Sequence, residues 1–387
     1  MRKKIDFLHI YAGTRGASGL YMDKIHNALD SKYNQDVIVS AFYSFDYGKK
    51  WFYKYSDISS LKSSVLKIDI LRKLLRFIEL VITLVRVFFY VKFNEVKFVN
   101  YGLTSDLYIE LIFIKLLKYR SSTKVIITCH DVLPFGSDNR EVLAKKISRK
   151  KRFLNISHYL LVHNDNSIDD LKTYYNISNS NVFKINFPIM NLNDLKINHR
   201  QVNLSIPKDK FTIGMIGNLR REKGVDLLIE AWEHFYEYNK KVQLVIAGYV
   251  SPNIDYGFQK LENKSLIYYD KFVDDSEFRS LIQMCDVIVL PYKRGTNSGI
   301  PSQIISSGTL VIASDIDMFC QNKLISEEFL FQSNDFNALS EKLEWISTIS
   351  KETIAQYKKD QYDKLLQYDS HFIKNVQNEF DKIYLEY

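Results

Sequence analysis

Short apolar runs alternate with stretches of helical periodicity along most of the chain. Residues 5–11 form an apolar run too short for a helix. Residues 19–29 repeat apolar positions every three to four residues, the spacing of a helix. Further strands are predicted at 36–40, 96–100, 124–129 and 159–163, with helices at 68–93, 106–119, 140–155 and 167–175. Residues 191–210 are polar and mixed, which reads as a linker. The alternation then restarts, with strands at 211–216, 242–247, 265–269, 287–291 and 310–313. Helices are predicted at 225–238 and 275–284, and another starts within 303–307. Residues 351–387 hold no Gly or Pro and read as helix throughout. Strands alternating with helices imply parallel pairing and an α/β fold of two doubly wound halves. The predicted domains are 1–190 and 211–365, joined by 191–210 and followed by a helix over 366–387. Ligands of such sheets bind at the carboxyl ends of the strands. For two halves that means the cleft they face.

Composition narrows the function classes. The three cysteines, Cys129, Cys285 and Cys320, exclude a disulfide framework and fit a reducing compartment. The net charge of +8 favours phosphate-rich partners: nucleic acid, anionic lipid headgroups or phosphorylated small molecules. The basic start of the chain mimics a signal peptide, but Asp6 and His9 interrupt its apolar run, which reads better as a first strand. Residues 71–92 approach the length of a membrane span, yet contain Glu79 and Arg86. A charge at the bilayer centre costs about 2.5–3.5 kcal/mol, which argues against a span. The same segment, with Arg72, Lys73 and Arg76, reads equally as a basic amphipathic helix on an anionic membrane or as a core helix with solvated cations.

Two segments carry chemistry. In 213–228 an apolar strand ends at Gly217, a basic turn with Arg220, Arg221 and Lys223 follows, and Gly224 opens a helix. Backbone amides at a helix start and nearby cations make an anion site, whereas the plain alternative is a turn with solvated charges. In 285–315 a buried strand runs into a polar loop holding Asn297, Ser298 and Gly299 before a second helix. Here the plain alternative is a glycine needed for the turn alone. Asp315 and Asp317 have the D-x-D form used by divalent metals, but two carboxylates make an incomplete site and no metal is expected.

Four stretches, GNLRREKG (217–224), LVIAG (244–248), DVIVLPY (286–292) and VIASD (311–315), resemble in order and spacing the donor half of the retaining GT-B glycosyltransferases of the family-4 group. That resemblance implies two Rossmann-like domains facing a cleft, the first binding the acceptor and the second a nucleotide-diphosphate sugar, with a UDP-sugar favoured. The C-terminal helix is then expected to pack back on the first domain. The resemblance assigns Arg220 and Lys223, with Ser298 and Gly299, to the donor diphosphate. Many members carry an E-x7-E glutamate pair in the second loop. This chain has neither, and Gln303 stands at the second position. It is similar instead to a subgroup with a Ser-Gly pair, and Gln303 and Asn297 are assigned to ribose or sugar hydroxyls.

In the first half, Gly16 and Gly19 fall in the loop that relatives bring near the phosphates. His130, in TCHDVLPF, matches the histidine that approaches the transferred sugar. The plain reading is a strand-end His capped by Asp131. His163 and Asn164 are weaker candidates, as is Asp131. The implied activity is retaining sugar transfer to a saccharide acceptor, carried on a lipid diphosphate, in bacterial cell-surface polysaccharide synthesis. No metal or other cofactor is expected, and the location is cytoplasmic, peripheral to the inner membrane face. A non-hydrolysing sugar-nucleotide epimerase and a two-domain sugar-binding protein share the layout. The first would need more acid–base residues than are found, and the second would normally be exported. A nucleic-acid-binding protein rests on charge alone.

Overall fold

The computed structural model describes residues 2–11, 18–39, 69–102, 107–120, 122–133, 140–191, 201–202, 204–207, 209–250, 254–261, 263–273 and 275–387. Gly16, predicted in a ligand loop, lies outside them. The chain divides into two compact units, Met1–Pro188 with His371–Tyr387, and Ile189–Ser370.

In the first unit, strands β1 (Lys4–Tyr11), β2 (Gln35–Val39), β3 (Glu95–Tyr101), β4 (Lys124–Thr128), β5 (Tyr159–Val162) and β6 (Val182–Lys184) form one sheet in the order β2-β1-β3-β4-β5-β6. Every pairing is parallel. The order reverses between β1 and β3. Helix α1 (Ser18–Leu29) connects β1 to β2. Helices α2 (Asp69–Phe93), α3 (Tyr108–Arg120), α4 (Arg140–Ile156) and α5 (Asp165–Tyr175) follow β2 to β5 and adjoin one another in that sequence. Strands covered on both faces read as near-continuous apolar runs: β5 is apolar throughout and β4 at its centre, with Val125, Ile126, Leu160 and Leu161 in the core. β1 carries a fully buried polar side chain, His9. It is satisfied by Gln35 Oε1 at 2.8 Å and by the Asn100 amide at 3.1 Å, and so is a neutral core histidine.

The second unit repeats the scheme with β7 (Phe211–Ile216), β8 (Val242–Ala247), β9 (Leu266–Tyr269), β10 (Val287–Leu290), β11 (Leu310–Ser314) and β12 (Leu330–Phe331), ordered β12-β11-β10-β7-β8-β9. Its helices are α6 (Val225–Tyr238), α7 (Asp275–Gln283), α8 (Ile300–Ser306), α9 (Asp317–Asn322) and α10 (Phe336–Thr348). Counted from β7, the order is 3-2-1-4-5-6, so chain direction switches between β7 and β10, where doubly wound sheets place ligands. The stretch predicted as a linker gives Val202 to this unit's core, and its N–H bonds Ser280 Oγ at 3.2 Å.

Helix α11 (Lys351–Leu385) belongs to the second unit up to Ser370 and to the first from His371. In the first unit, Phe380 meets Phe7 edge-on at 5.1 Å, and Asp381 bonds Lys32 and Tyr33. No helix among the described residues is long and apolar enough to cross a membrane.

Candidate functional site

At the switch point of the second unit, β7 ends in Gly217, whose φ of +132° only glycine adopts readily. Its N–H still bonds Ala247 O at 2.9 Å, and a Cβ there would lie 3.7 Å from Ile300, the first residue of α8. The basic turn follows as a single 3-10 turn, Arg221–Lys223, closed by Gly224 at φ +71°. A Cβ on Gly224 would stand 1.8 Å from the Pro291 carbonyl oxygen. Glycine therefore lets the turn after β7 press against the loop after β10. Lys293 N–H bonds Glu222 O at 2.9 Å and its ammonium meets Asp226 at 2.6 Å, tying the two loops together. The two segments singled out in the sequence thus form one surface, although some 70 residues separate them.

The cations sit differently on it. Lys223 is half-buried, with Nζ 3.7 Å from the centre of the buried Tyr292 ring, a cation–π contact that holds the side chain. Tyr292 was not a sequence candidate. It follows the strand-ending proline, and no local signal distinguishes it from a core aromatic. Arg220 is exposed, with Nη1 3.7 Å from Glu222. The Asn218 amide oxygen, turned toward the guanidinium, accepts from Arg220 Nε and Nη2 at 3.2 Å. Asn218 therefore braces the fork that Arg220 presents.

The start of α8 offers fewer donors than a helix start ordinarily does. Pro301 has no N–H, and that of Ile300 bonds Ser298 Oγ at 3.3 Å. Ser298, Gly299 and Asn297 are half-buried on the loop. Gln303 is 9% exposed, one turn into α8, and its N–H bonds Gly299 O. The D-x-D carboxylates are split: Asp315 Oδ1 accepts from Ser333 N at 2.7 Å, while Asp317 opens α9. Among the described residues no three His, Cys, Asp or Glu side chains cluster as a metal site.

In the first unit, Gly19 lies in the first turn of α1. His130 and His163 stand at the ends of β4 and β5 and stack with centroids 5.2 Å apart. His130 Nε2 faces Gly102 O at 2.9 Å, and His163 Nδ1 faces Ile185 O at 3.1 Å. Carbonyls only accept, so each ring donates there. The inner nitrogens, His130 Nδ1 and His163 Nε2, then meet at 3.2 Å as two acceptors, a contact that one further proton would make a hydrogen bond. Burial opposes that proton: it lowers His130 and pushes His163 down to about 3. Tyr21 and Phe187 close edge-on around the pair. Asp131 accepts from Lys150 through its backbone carbonyl. Asn164 is the N-cap of α5, its Oδ1 accepting from Ser167 N at 2.8 Å, which gives it a local structural role.

Residues 197–363, within the second unit, match the family described as glycosyl transferases group 1. No curated protein matches the chain in sequence. Among solved structures, the chain is similar to sucrose-phosphate synthase from Thermosynechococcus elongatus, at 14% identity and a TM-score of 0.66 over 99% of this chain and 100% of that one. It is also similar to a glycosyltransferase from Rickettsia africae (13% identity, TM-score 0.61, 99% and 98% covered). HepE of Anabaena, solved with UDP and glucose, matches at 12% identity and a TM-score of 0.60, with 97% and 100% covered. At these identities the likeness establishes the fold, the two-sheet α/β architecture of GT-B glycosyltransferases.

Proposed function

We propose that this chain transfers a sugar from a nucleotide-diphosphate donor, a UDP-sugar by preference, to a saccharide acceptor, with retention at the anomeric carbon. The observation that carries the reading is the joined surface at the β7–β10 switch point. There Lys223 is held on Tyr292 and Arg220 is braced by Asn218. A fixed point charge and a forked guanidinium suit a diphosphate, which needs charge neutralisation as it leaves. An incoming diphosphate would draw Arg220 from its distant partner Glu222. Ser298 and Gly299 would add backbone amides, and Gln303 and Asn297 hydrogen bonds to ribose or sugar hydroxyls.

In the first unit, His130 would contact the transferred sugar, with His163 behind it fixing the ring. With two cations at the diphosphate, the reaction needs no divalent metal. An acceptor carried on a lipid diphosphate, in the assembly of a bacterial cell-surface polysaccharide at the inner membrane face, completes the reading.

The test is incubation with a panel of UDP-, GDP- and ADP-sugars, following release of nucleoside diphosphate. Release from one class, increased by added saccharide, supports transfer. Conversion of the sugar with the nucleotide left attached would point to an epimerase instead, and binding without turnover to a sugar-binding protein.

A further inference from the structure

Helix α2 is apolar on two opposite faces. Leu80, Leu84, Val87 and Val91 recur at helical spacing and are buried in the first unit. Ile78, Ile82, Val85, Phe89 and Phe93 recur at the same spacing on the other side, and each is 44–60% exposed. The adjoining helix α3 repeats the arrangement. Leu111, Ile114 and Leu117 face inward, while Tyr108, Ile112, Leu116 and Tyr119 stand 45–84% exposed. Two parallel apolar stripes therefore lie side by side on the outer surface, a larger patch than isolated exposed residues make.

Charge surrounds these stripes. Helix α4, next to α3, holds seven Lys or Arg against one Glu, α3 three against one, and α2 five against two acids. The three helices together carry +11 where the whole chain carries +8, so the rest of the molecule is net acidic at −3. On α4, Lys145, Arg149 and Arg152 share one stripe. Between α3 and α4 lies a groove of about 640 Å³, with Leu111 and Ile112 on its walls and Lys115, Lys118 and Arg152 around it.

We infer that the α2–α3–α4 face is a docking surface for an anionic phospholipid bilayer, with the apolar stripes entering the headgroup boundary and the α3–α4 cations meeting lipid phosphates. A bilayer supplies both halves of what this face offers, apolar depth and surface negative charge. Nucleic acid would meet the cations but leave Ile82, Phe89 and Phe93 against water. A second copy of the chain would cover the stripes only by setting +11 against +11. The inference extends the residues 71–92 reading to two further helices and does not rest on the proposed transfer reaction. A soluble acceptor would leave it standing.

The test is flotation of the full-length protein with vesicles of phosphatidylglycerol and phosphatidylcholine, at low and high salt, beside pure phosphatidylcholine. Recovery is expected on the anionic vesicles and is expected to fall with salt. The triple variant Lys115→Gln, Lys145→Gln, Arg149→Gln is expected to lower low-salt partitioning roughly a hundredfold. The double variant Ile82→Asn, Phe89→Asn is expected to abolish the binding that survives high salt. Both variants should keep the parent's circular dichroism and its release of nucleoside diphosphate in solution, which separates a failure of docking from a failure of the site. Equal flotation of parent and triple variant would overturn the inference. So would preference of the parent for duplex DNA over vesicles, or a dimer in solution that the double variant dissolves.

Discussion

Replacing Gly224 with alanine tests whether the two loops of the second unit are pressed together as the structure has them. Two costs add at this position. The residue stands at φ +71°, ψ 32°, a left-handed conformation that costs an L-residue about 1–2 kcal/mol. The new Cβ also falls 1.8 Å from Pro291 O and 2.9 Å from its carbonyl carbon, so one backbone must retreat by more than an ångström. Overpacking of this kind typically costs about 1–3 kcal/mol more. Gly308 supplies the control within the same unit: its φ is +79°, and a Cβ there meets nothing within 4 Å. Gly308→Ala should therefore cost about 1–2 kcal/mol and Gly224→Ala about 2–5 kcal/mol. At about 2–4 °C per kcal/mol for a unit of this size, Tm should fall by about 2–8 °C and about 4–20 °C respectively. The retreat also shifts Lys223 from Tyr292, and misplacement of about 1 Å can cost on the order of a hundredfold in function. Differential scanning fluorimetry and UDP titration of both variants measure the two effects. Equal Tm losses, with UDP affinity unchanged in Gly224→Ala, would refute the close approach and its role in the site.

Lys223→Ala should lose a charge-assisted contact of about 1.5–3 kcal/mol and weaken UDP-sugar binding or turnover by about tenfold or more, with Tm little changed; wild-type kinetics would remove Lys223 from the site. Turnover should persist in excess EDTA if, as proposed, Arg220 and Lys223 neutralise the leaving diphosphate; loss restored by Mg²⁺ or Mn²⁺ would show that a metal is required. Acid should destabilise the first unit, since burial pushes both His9 and His163 from 6.5 down to about 3. Unfolded, these rings take up a proton below about pH 6.5, but folded they do so only near pH 3. The stability they contribute is thus complete above pH 6.5 and is lost as pH falls toward 3, by about 2 kcal/mol per histidine between pH 7 and pH 5. Urea midpoints measured across that range check the sign, and a midpoint that rises on acidification would contradict it.

The α/β class was legible in the sequence because strand and helix periodicities are local. A near-continuous apolar run such as 125–127 or 244–247 marks a strand with both faces covered. The glycines and cations of 217–224 were legible for the same reason, since a tight turn and a helix start are written in adjacent residues. What local pattern cannot hold is which distant segments meet. The β7–β10 pairing brings Gly224 against Pro291 and Lys223 over Tyr292, and neither contact follows from either segment alone. Likewise, nothing in YLLVHND sets His163 against His130, 33 residues earlier. The parallel alignment of β4 and β5 does that. Asn164 looked like a ligand candidate because helix caps and hydrogen-bonding site residues draw on the same side chains, and the start of α5 made it a cap. Helix α2 shows the division most plainly. Its composition is apolar on two faces, but one sheet can cover only one of them, so packing alone decided that Leu84 is core and Phe89 is surface.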